Sequence, residues 1–228
     1  EFRRVLFRSN GAGKSTLMKI LSGAHAPDAG EIELDGRPYR PANPHDARLN
    51  GVAMIYQELN LALHLPAWEN ITLGAESARA GWIDRRAGRE RARAALAQLG
   101  HGELDLDRPA GAFGIAEQQV IEIARALLTR PRVLIMDEPT SSLTQADTAR
   151  LFEVIRRLRA QGVSIIYISH FLEECRGIAD RYTVLKDGES VGSGRMADTD
   201  LTRIVTLMTG REVQDLYPRT EQIGRAHV

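Results

Sequence analysis

The stretch Asn10-Gly11-Ala12-Gly13-Lys14-Ser15-Thr16 constrains this chain more than any other part of it. Closely spaced glycines let backbone N–H groups curl around an anion. A helix opening at Lys14 would turn the positive end of its dipole on the same point. The residues match the G-x-x-x-x-G-K-[ST] pattern except at its leading glycine, where Arg8 stands. In such a loop Lys14 reaches the outer phosphates of a nucleotide and the Ser15 hydroxyl ligates Mg²⁺. The pattern demands a strand before it and a helix after it, which points to an α/β chain.

A second anchor lies far downstream. Val133-Leu134-Ile135-Met136-Asp137-Glu138 is an apolar strand ending in two carboxylates. A buried strand delivers Asp137 to the metal region from its carboxyl end, where open α/β sheets place ligands. Glu138, one residue on, can orient and polarise an attacking water, a contribution of ~10²–10⁴-fold in rate. Between and beyond these anchors the patterning alternates. A helix is expected over Lys14 to Leu21 with a stop at Gly23, a strand over Glu31 to Leu34 with a turn at Asp35-Gly36, and a strand over Val52 to Tyr56 ending in Gln57. Leu65 to Ala112 reads as a helical insertion, with Pro66 near one start, Asp84 as an N-cap and Gly100 closing the Arg- and Ala-rich run. Helices over 117–128, 145–159 and 171–179 then alternate with strands over 132–136 and 163–168. A hairpin at Asp187-Gly188 and a short helix from Asp200 to Met208, stopped by Gly210, complete the pattern.

The 228 residues carry 30 Lys+Arg against 30 Asp+Glu, and this balance argues against a nucleic-acid partner, which would favour a basic excess. The lone Cys175 excludes an internal disulfide framework. No apolar run approaches the ~18 residues of a spanning helix, so any membrane association comes through a partner. Cys175, Trp68 and Trp82 read as packing residues, and the Arg-rich stretch from Arg85 to Arg93 as a solvated helix face.

Both termini read as foreign. A DNA segment that encodes Arg4-Val5-Leu6-Phe7-Arg8-Ser9 also encodes, on its reverse complement in a shifted frame, Ile223-Gly224-Arg225-Ala226-His227-Val228. The segment resembles a DNA-sequencing adapter. Residues 1–9 and 223–228 are therefore expected to be non-native, and the chain a fragment without its own leading strands. Weak nucleotide binding and little activity follow from that expectation.

Gly11-Ala12-Gly13-Lys14-Ser15-Thr16, Tyr56-Gln57-Glu58, Glu122-Ile123-Ala124-Arg125-Ala126-Leu127, Met136-Asp137-Glu138-Pro139-Thr140 and Ile168-Ser169-His170 occur in that order. Together they resemble the nucleotide-binding domain of an ATP-binding-cassette (ABC) transporter. Glu117 to Ala124, Ser141-Ser142-Leu143-Thr144 and Asp215-Leu216-Tyr217-Pro218 resemble more narrowly the first cassette of fused, two-cassette ATPases of bacterial sugar importers. The resemblance covers about residues 10 to 220. It implies a P-loop NTPase (RecA-like) α/β core with a helical subdomain insertion and its N-terminal strands missing. The core would span 10–62 and 113–210, the helical subdomain 63–112, and 211–222 would begin a linker to a second cassette.

The resemblance also implies roles. Asn10, Gly11, Ala12, Gly13, Lys14, Ser15 and Thr16 would bind ATP, Ser15, Gln57 and Asp137 would hold Mg²⁺, and Glu138, His170 and Gln57 would serve hydrolysis. Gln57 would also sense a transmembrane partner. The family's signature loop aligns with Phe113-Gly114-Ile115-Ala116-Glu117, a poor copy in which Gly114 replaces a serine. Gly114, Ala116 and Glu117 would touch the nucleotide of the opposing cassette. Implied partners are a second cassette, fused or dimeric, transmembrane permease subunits and, indirectly, a periplasmic sugar-binding protein. The expected location is peripheral, at the cytoplasmic face of a bacterial inner membrane. Two alternatives stay open: a soluble ABC-type ATPase of translation or DNA repair, and a nucleotide-binding half with little catalysis of its own.

Overall fold

The computed structural model describes residues 3–8, 13–79, 82–169 and 171–209. Its elements run β1 (Arg3–Arg8), α1 (Lys14–Leu21), β2 (Glu33–Leu34), β3 (Arg37–Pro38), α2 (Pro44–Leu49), β4 (Val52–Ile55), α3 (Ala67–Thr72), β5 (Ala78–Arg79), β6 (Trp82–Ile83), α4 (Arg85–Leu99), α5 (Ile115–Leu127), β7 (Val133–Asp137), α6 (Gln145–Ala160), β8 (Ser164–Ile168), α7 (Leu172–Arg176), β9 (Arg181–Lys186), β10 (Glu189–Arg195) and α8 (Leu201–Thr209).

Six strands form one sheet in the order β10-β9-β1-β8-β7-β4. The five strands from β9 to β4 pair in parallel, and β10 returns antiparallel on the β9 edge. Parallel strands are covered on both faces, so their sequences are apolar throughout rather than alternating. The burial of β7 and β8 follows from this. Leu134 and Met136 join Ile165 and Tyr167 in a large cluster with α3, α4, α5 and α6. Ile135 and Ile168, one position out of phase, join Met18 of α1 in a second cluster on the other face. The larger cluster runs without a break from the sheet to Trp68, Ile71, Leu96 and Leu99 of the helical segment.

The N-terminus corrects one expectation. Arg3–Arg8, which the sequence suggested would leave the loop without a leading strand, is β1 and pairs on both sides, Leu6 with Ile168 and with Thr183. Val5-Leu6-Phe7 has the apolar, β-prone character that a central slot between two strand edges selects, whatever its origin. Residues 223–228 lie outside the described residues, as do Gly210 and the 211–222 stretch.

Local signals account for most boundaries. Asp84 accepts from the Ala87 N–H at 3.0 Å and starts α4, and Gly100 ends it in the left-handed region. Asp35-Gly36 and Asp187-Gly188 all take positive φ, the geometry of tight hairpin turns. Helix α2, absent from the sequence pattern, is capped by Asn43, whose side chain accepts from the Asp46 N–H, and opens with Pro44. The insertion is not all helix, because β5 and β6 form a two-stranded hairpin.

One reading of a side chain changes and another is extended. Trp82 does not pack and is 81% exposed, whereas Trp68 is buried. Arg85, Arg86 and Arg93 of α4 are exposed, as a solvated face requires, but several of the arginines also hold fixed partners. Arg89 stacks on Trp68 and pairs with Asp107, Arg91 donates to the Ala75 carbonyl, and Arg93 donates to the carbonyls of Gly102 and Leu104. These donors satisfy loop carbonyls that have no strand partner.

Cys175 is fully buried in the large cluster, and burial pushes its thiol up to about 12. The reactive form is the thiolate. Ellman's reagent at pH 8 is therefore expected to leave Cys175 unmodified in the native chain and to modify it fully in urea. Rapid stoichiometric labelling of the native protein would contradict this packing.

Candidate functional site

The parallel strands end together, and the segments that leave them carry the chemistry. β1 runs toward the loop that precedes α1, β4 ends two residues before Gln57, β7 ends at Asp137, and β8 ends two residues before His170. Asp137 is two positions beyond Ile135, so it projects from the face that α1 covers. There Lys14, 4% exposed, places its Nζ 2.6 Å from Asp137 Oδ1 and 3.5 Å from Glu138 Oε1. A buried ammonium needs such partners. The two anchors of the sequence thus meet across 123 positions of chain.

Gly13 caps α1 at φ +79°, a left-handed conformation that glycine adopts without strain, and a Cβ there would stand 3.4 Å from the Gly188 Cα. Ser15 and Thr16 follow in the first turn with exposed side chains. The first turn of a helix leaves backbone N–H groups without intrahelical partners, available to an anion. Asn10, Gly11, Ala12 and His170 lie outside the described residues.

Glu138 holds φ +47°, unusual for a residue with a side chain and worth roughly 1–2 kcal/mol of strain. Its N–H donates to the Ile168 carbonyl at 2.9 Å and its carbonyl accepts from the Ser141 N–H at 3.2 Å. The strained residue is thereby tied to the end of β8 on one side and to its own turn on the other. Beneath it, Thr140 donates to Glu174 at 2.8 Å and lies 3.3 Å from the Tyr167 hydroxyl, whose ionisation burial pushes strongly upward. This buried network fixes the turn after Glu138 against α7.

Gln57 is exposed in the bend after β4. Because Ile55 pairs with Met136, Gln57 leaves the sheet beside Asp137. A cleft of about 660 Å³ opens nearby, lined by Tyr56, Asn60, Leu73, Glu122 and Arg125.

The ABC transporter family model matches residues 3–141. The chain belongs to the ABC transporter family. It is 50% identical to the ribose import ATP-binding protein RbsA of Chromobacterium violaceum, over 95% of this chain and 43% of that protein. It is 49% identical to a putative ribose/galactose/methyl galactoside import ATP-binding protein of Burkholderia cenocepacia, over 95% of this chain and 42% of that protein. The chain therefore spans less than half the length of these relatives. Among solved structures, the ADP conformation of MJ1267, an ATP-binding cassette of an ABC transporter, superposes with a TM-score of 0.77 at 23% identity, covering 92% of this chain and 88% of that one.

Within this ABC fold the residues aligned with the signature loop lie at the start of α5. Gly114 is the N-cap, with extended backbone, and its N–H donates to Glu117 Oε2 at 3.0 Å. Glu117, exposed, caps its own helix end through this one carboxylate oxygen, where the first turn otherwise leaves that N–H unpaired. Ala116 is the second residue of α5 and is half-buried. Arg108 braces the loop, stacking on Phe113 and donating to the Ala112 carbonyl.

Three positioning side chains escaped the sequence reading. Asn70, fully buried, grips Ala62 by both backbone groups and also donates to the carbonyls of Leu65 and Pro66. Glu122 and Arg125 hold Asn60. An i,i+3 charge pair on α5 was visible in sequence, but its reach to Asn60 was not.

Gly13→Ala is expected to cost about 1–2 kcal/mol, because the added Cβ meets ordinary contacts but the backbone must keep its positive φ. The urea midpoint of unfolding at constant slope measures it, and an unchanged midpoint would mean that the loop is not held left-handed.

Proposed function

We propose that the chain is the ATP-binding and hydrolysing cassette of a bacterial importer that energises uptake of a monosaccharide such as ribose or galactose. The observation that carries this reading is the meeting of Lys14, Asp137 and Glu138 at the carboxyl edge of the sheet, beside the glycine-capped start of α1. The ribose and ribose/galactose import relatives support the sugar class.

The donor set fits a nucleotide with Mg²⁺. Among the described residues no group of three or more His, Cys, Asp or Glu could hold a metal by itself. Mg²⁺ commonly takes one or two protein oxygens and completes its shell with water and phosphate, a role that Asp137, the Ser15 hydroxyl and Gln57 suit. When bound, the ion neutralises charge on the transferring phosphoryl group. Lys14 already sits where its ammonium can turn from the two carboxylates to phosphate oxygens. Glu138, 5% exposed and held by its strained backbone, orients the attacking water and accepts its proton. His170 follows Ser169 at the end of the adjacent strand and is assigned to the γ-phosphate.

The partners in this reading are a second cassette, permease subunits and, through them, a periplasmic sugar-binding protein. No helix among the described residues is long and apolar enough to cross a membrane, which suits a peripheral subunit on the cytoplasmic face. The cleft beside Gln57 is where coupling to a permease would be read. In a head-to-tail pair, Gly114 to Glu117 would face the opposing nucleotide. That site would be weak, because Gly114 offers no hydroxyl and its N–H is already given to Glu117.

Two experiments test this in the full-length protein with its permease. Glu138→Gln is expected to keep Mg-ATP binding while slowing hydrolysis at this site by about tenfold or more. An unchanged single-turnover rate would remove Glu138 from the chemistry. Gly114→Ser is expected to raise hydrolysis at the composite site that this loop forms with the opposing cassette. The nearest atom to the new Cβ is Glu117 Oε2 at 3.8 Å, so a serine fits. A hydroxyl bonded to charged phosphate is worth about 1.5–3 kcal/mol. Unchanged rate and affinity there would show that the loop acts through shape alone.

A further inference from the structure

Glu122 is an ionisable residue on the buried side of α5, flanked by Ile121 and Ile123, and its side chain is 4% exposed. It accepts from Arg125 Nη2 at 2.9 Å through Oε1, while Oε2 is buried without a hydrogen-bond partner. Burial pushes its carboxyl up, against the pull of Arg125. A pair whose only task was to stabilise a helix would sit on the exposed face, where desolvation costs little. This pair instead reaches across to the chain that leaves β4. The Asn60 N–H donates to Glu122 Oε1 at 3.4 Å, and the Asn60 carbonyl accepts from Arg125 Nη1 at 2.9 Å. Asn60 in turn donates through Nδ2 to the Glu58 carbonyl at 3.2 Å, which folds the segment from Gln57 to Asn60 on itself.

We propose that Glu122 and Arg125 are positioning residues for Gln57: as one ion pair they clasp both backbone groups of Asn60 and tie the Gln57 segment to α5. The same helix carries Gly114 and Glu117 at its N-terminus. Any rotation of α5 that carries the Gly114 end therefore carries Asn60, and with it Gln57, at the edge where Asp137 lies. Asn70 holds Ala62 to α3 in the same bidentate manner, so the connection is fixed on both sides of Leu61. The catalytic consequence rests on the proposed ATPase reading; the clasp itself does not.

Amide hydrogen exchange on the 228-residue chain without nucleotide tests the clasp. Glu122→Ala and Arg125→Ala are each expected to speed exchange at residues 57–61 by about tenfold or more while leaving Val133 to Asp137 unchanged. Glu122→Gln keeps an acceptor for the Asn60 N–H and is expected to restore most of the protection. Arg86→Ala, which breaks an exposed pair with Glu90 on α4, serves as the control with no change at residues 57–61. No acceleration at 57–61, or equal acceleration in β7, overturns the clasp. In the full-length protein the two alanine variants are expected to lower kcat for Mg-ATP severalfold with KM within about twofold, since Lys14 is untouched. Faster exchange with unchanged kcat overturns the link to Gln57. A wild-type protein that hydrolyses no ATP overturns the proposed function instead, and exchange still decides the clasp.

Discussion

The Lys14–Asp137 pair is the contact on which the arrangement turns. An ammonium 4% exposed is tolerable only beside compensating charge, so the start of α1 and the end of β7 must meet. The sheet makes that meeting possible. β7 lies between β8 and β4, its side chains alternate between two buried layers, and the alternation that sends Ile135 toward Met18 sends Asp137 toward Lys14. Glu138 breaks the alternation. Its positive φ turns the chain out of the strand, and the hydrogen bond to the Ile168 carbonyl keeps that turn against β8.

A second level of order is built from side chains that hold backbone. Asn70 on Ala62, Glu122 and Arg125 on Asn60, Arg93 on two carbonyls and Arg108 on Ala112 all fix stretches that lack a strand partner. The helical segment and the sheet share one apolar cluster, which includes Trp68, Leu96, Val120 and Leu134. The helical segment has no core of its own within that cluster, so a displacement of α5 is felt at the edge that bears Gln57.

Much of this was legible in the sequence, for identifiable reasons. Helix α1, strand β7, helix α6 and the Asp187-Gly188 hairpin follow from periodicity and turn chemistry, which act locally. Lys14 and the acidic pair were singled out by the glycine-rich spacing and by an apolar strand ending in two carboxylates, and Lys14, Asp137 and Glu138 do meet. What was hidden depends on tertiary partners. Trp82 looked like a core residue because indole is large and apolar, but on a two-residue strand its side chain is left exposed. The reach of Arg91 and Arg93 to loop carbonyls was hidden because those acceptors lie up to 16 positions away. The capping bond that Glu117 makes to the Gly114 N–H was likewise not legible from residue type alone. Arg3–Arg8 pairs as a strand, which an apolar, β-prone stretch can do and which codon patterns do not report.

A double-mutant cycle on Lys14→Met and Asp137→Asn, read by urea unfolding of the nucleotide-free chain, tests the central contact most directly. Contacting charges couple, with interaction energies of about 0.5–3 kcal/mol. A coupling above ~1 kcal/mol is the predicted result, because either single change already breaks the 2.6 Å Lys14–Asp137 contact and the second cannot break it again, while Glu138 stays in all four chains. Additive effects of the two substitutions would contradict the account, since the two anchors would then not be in contact.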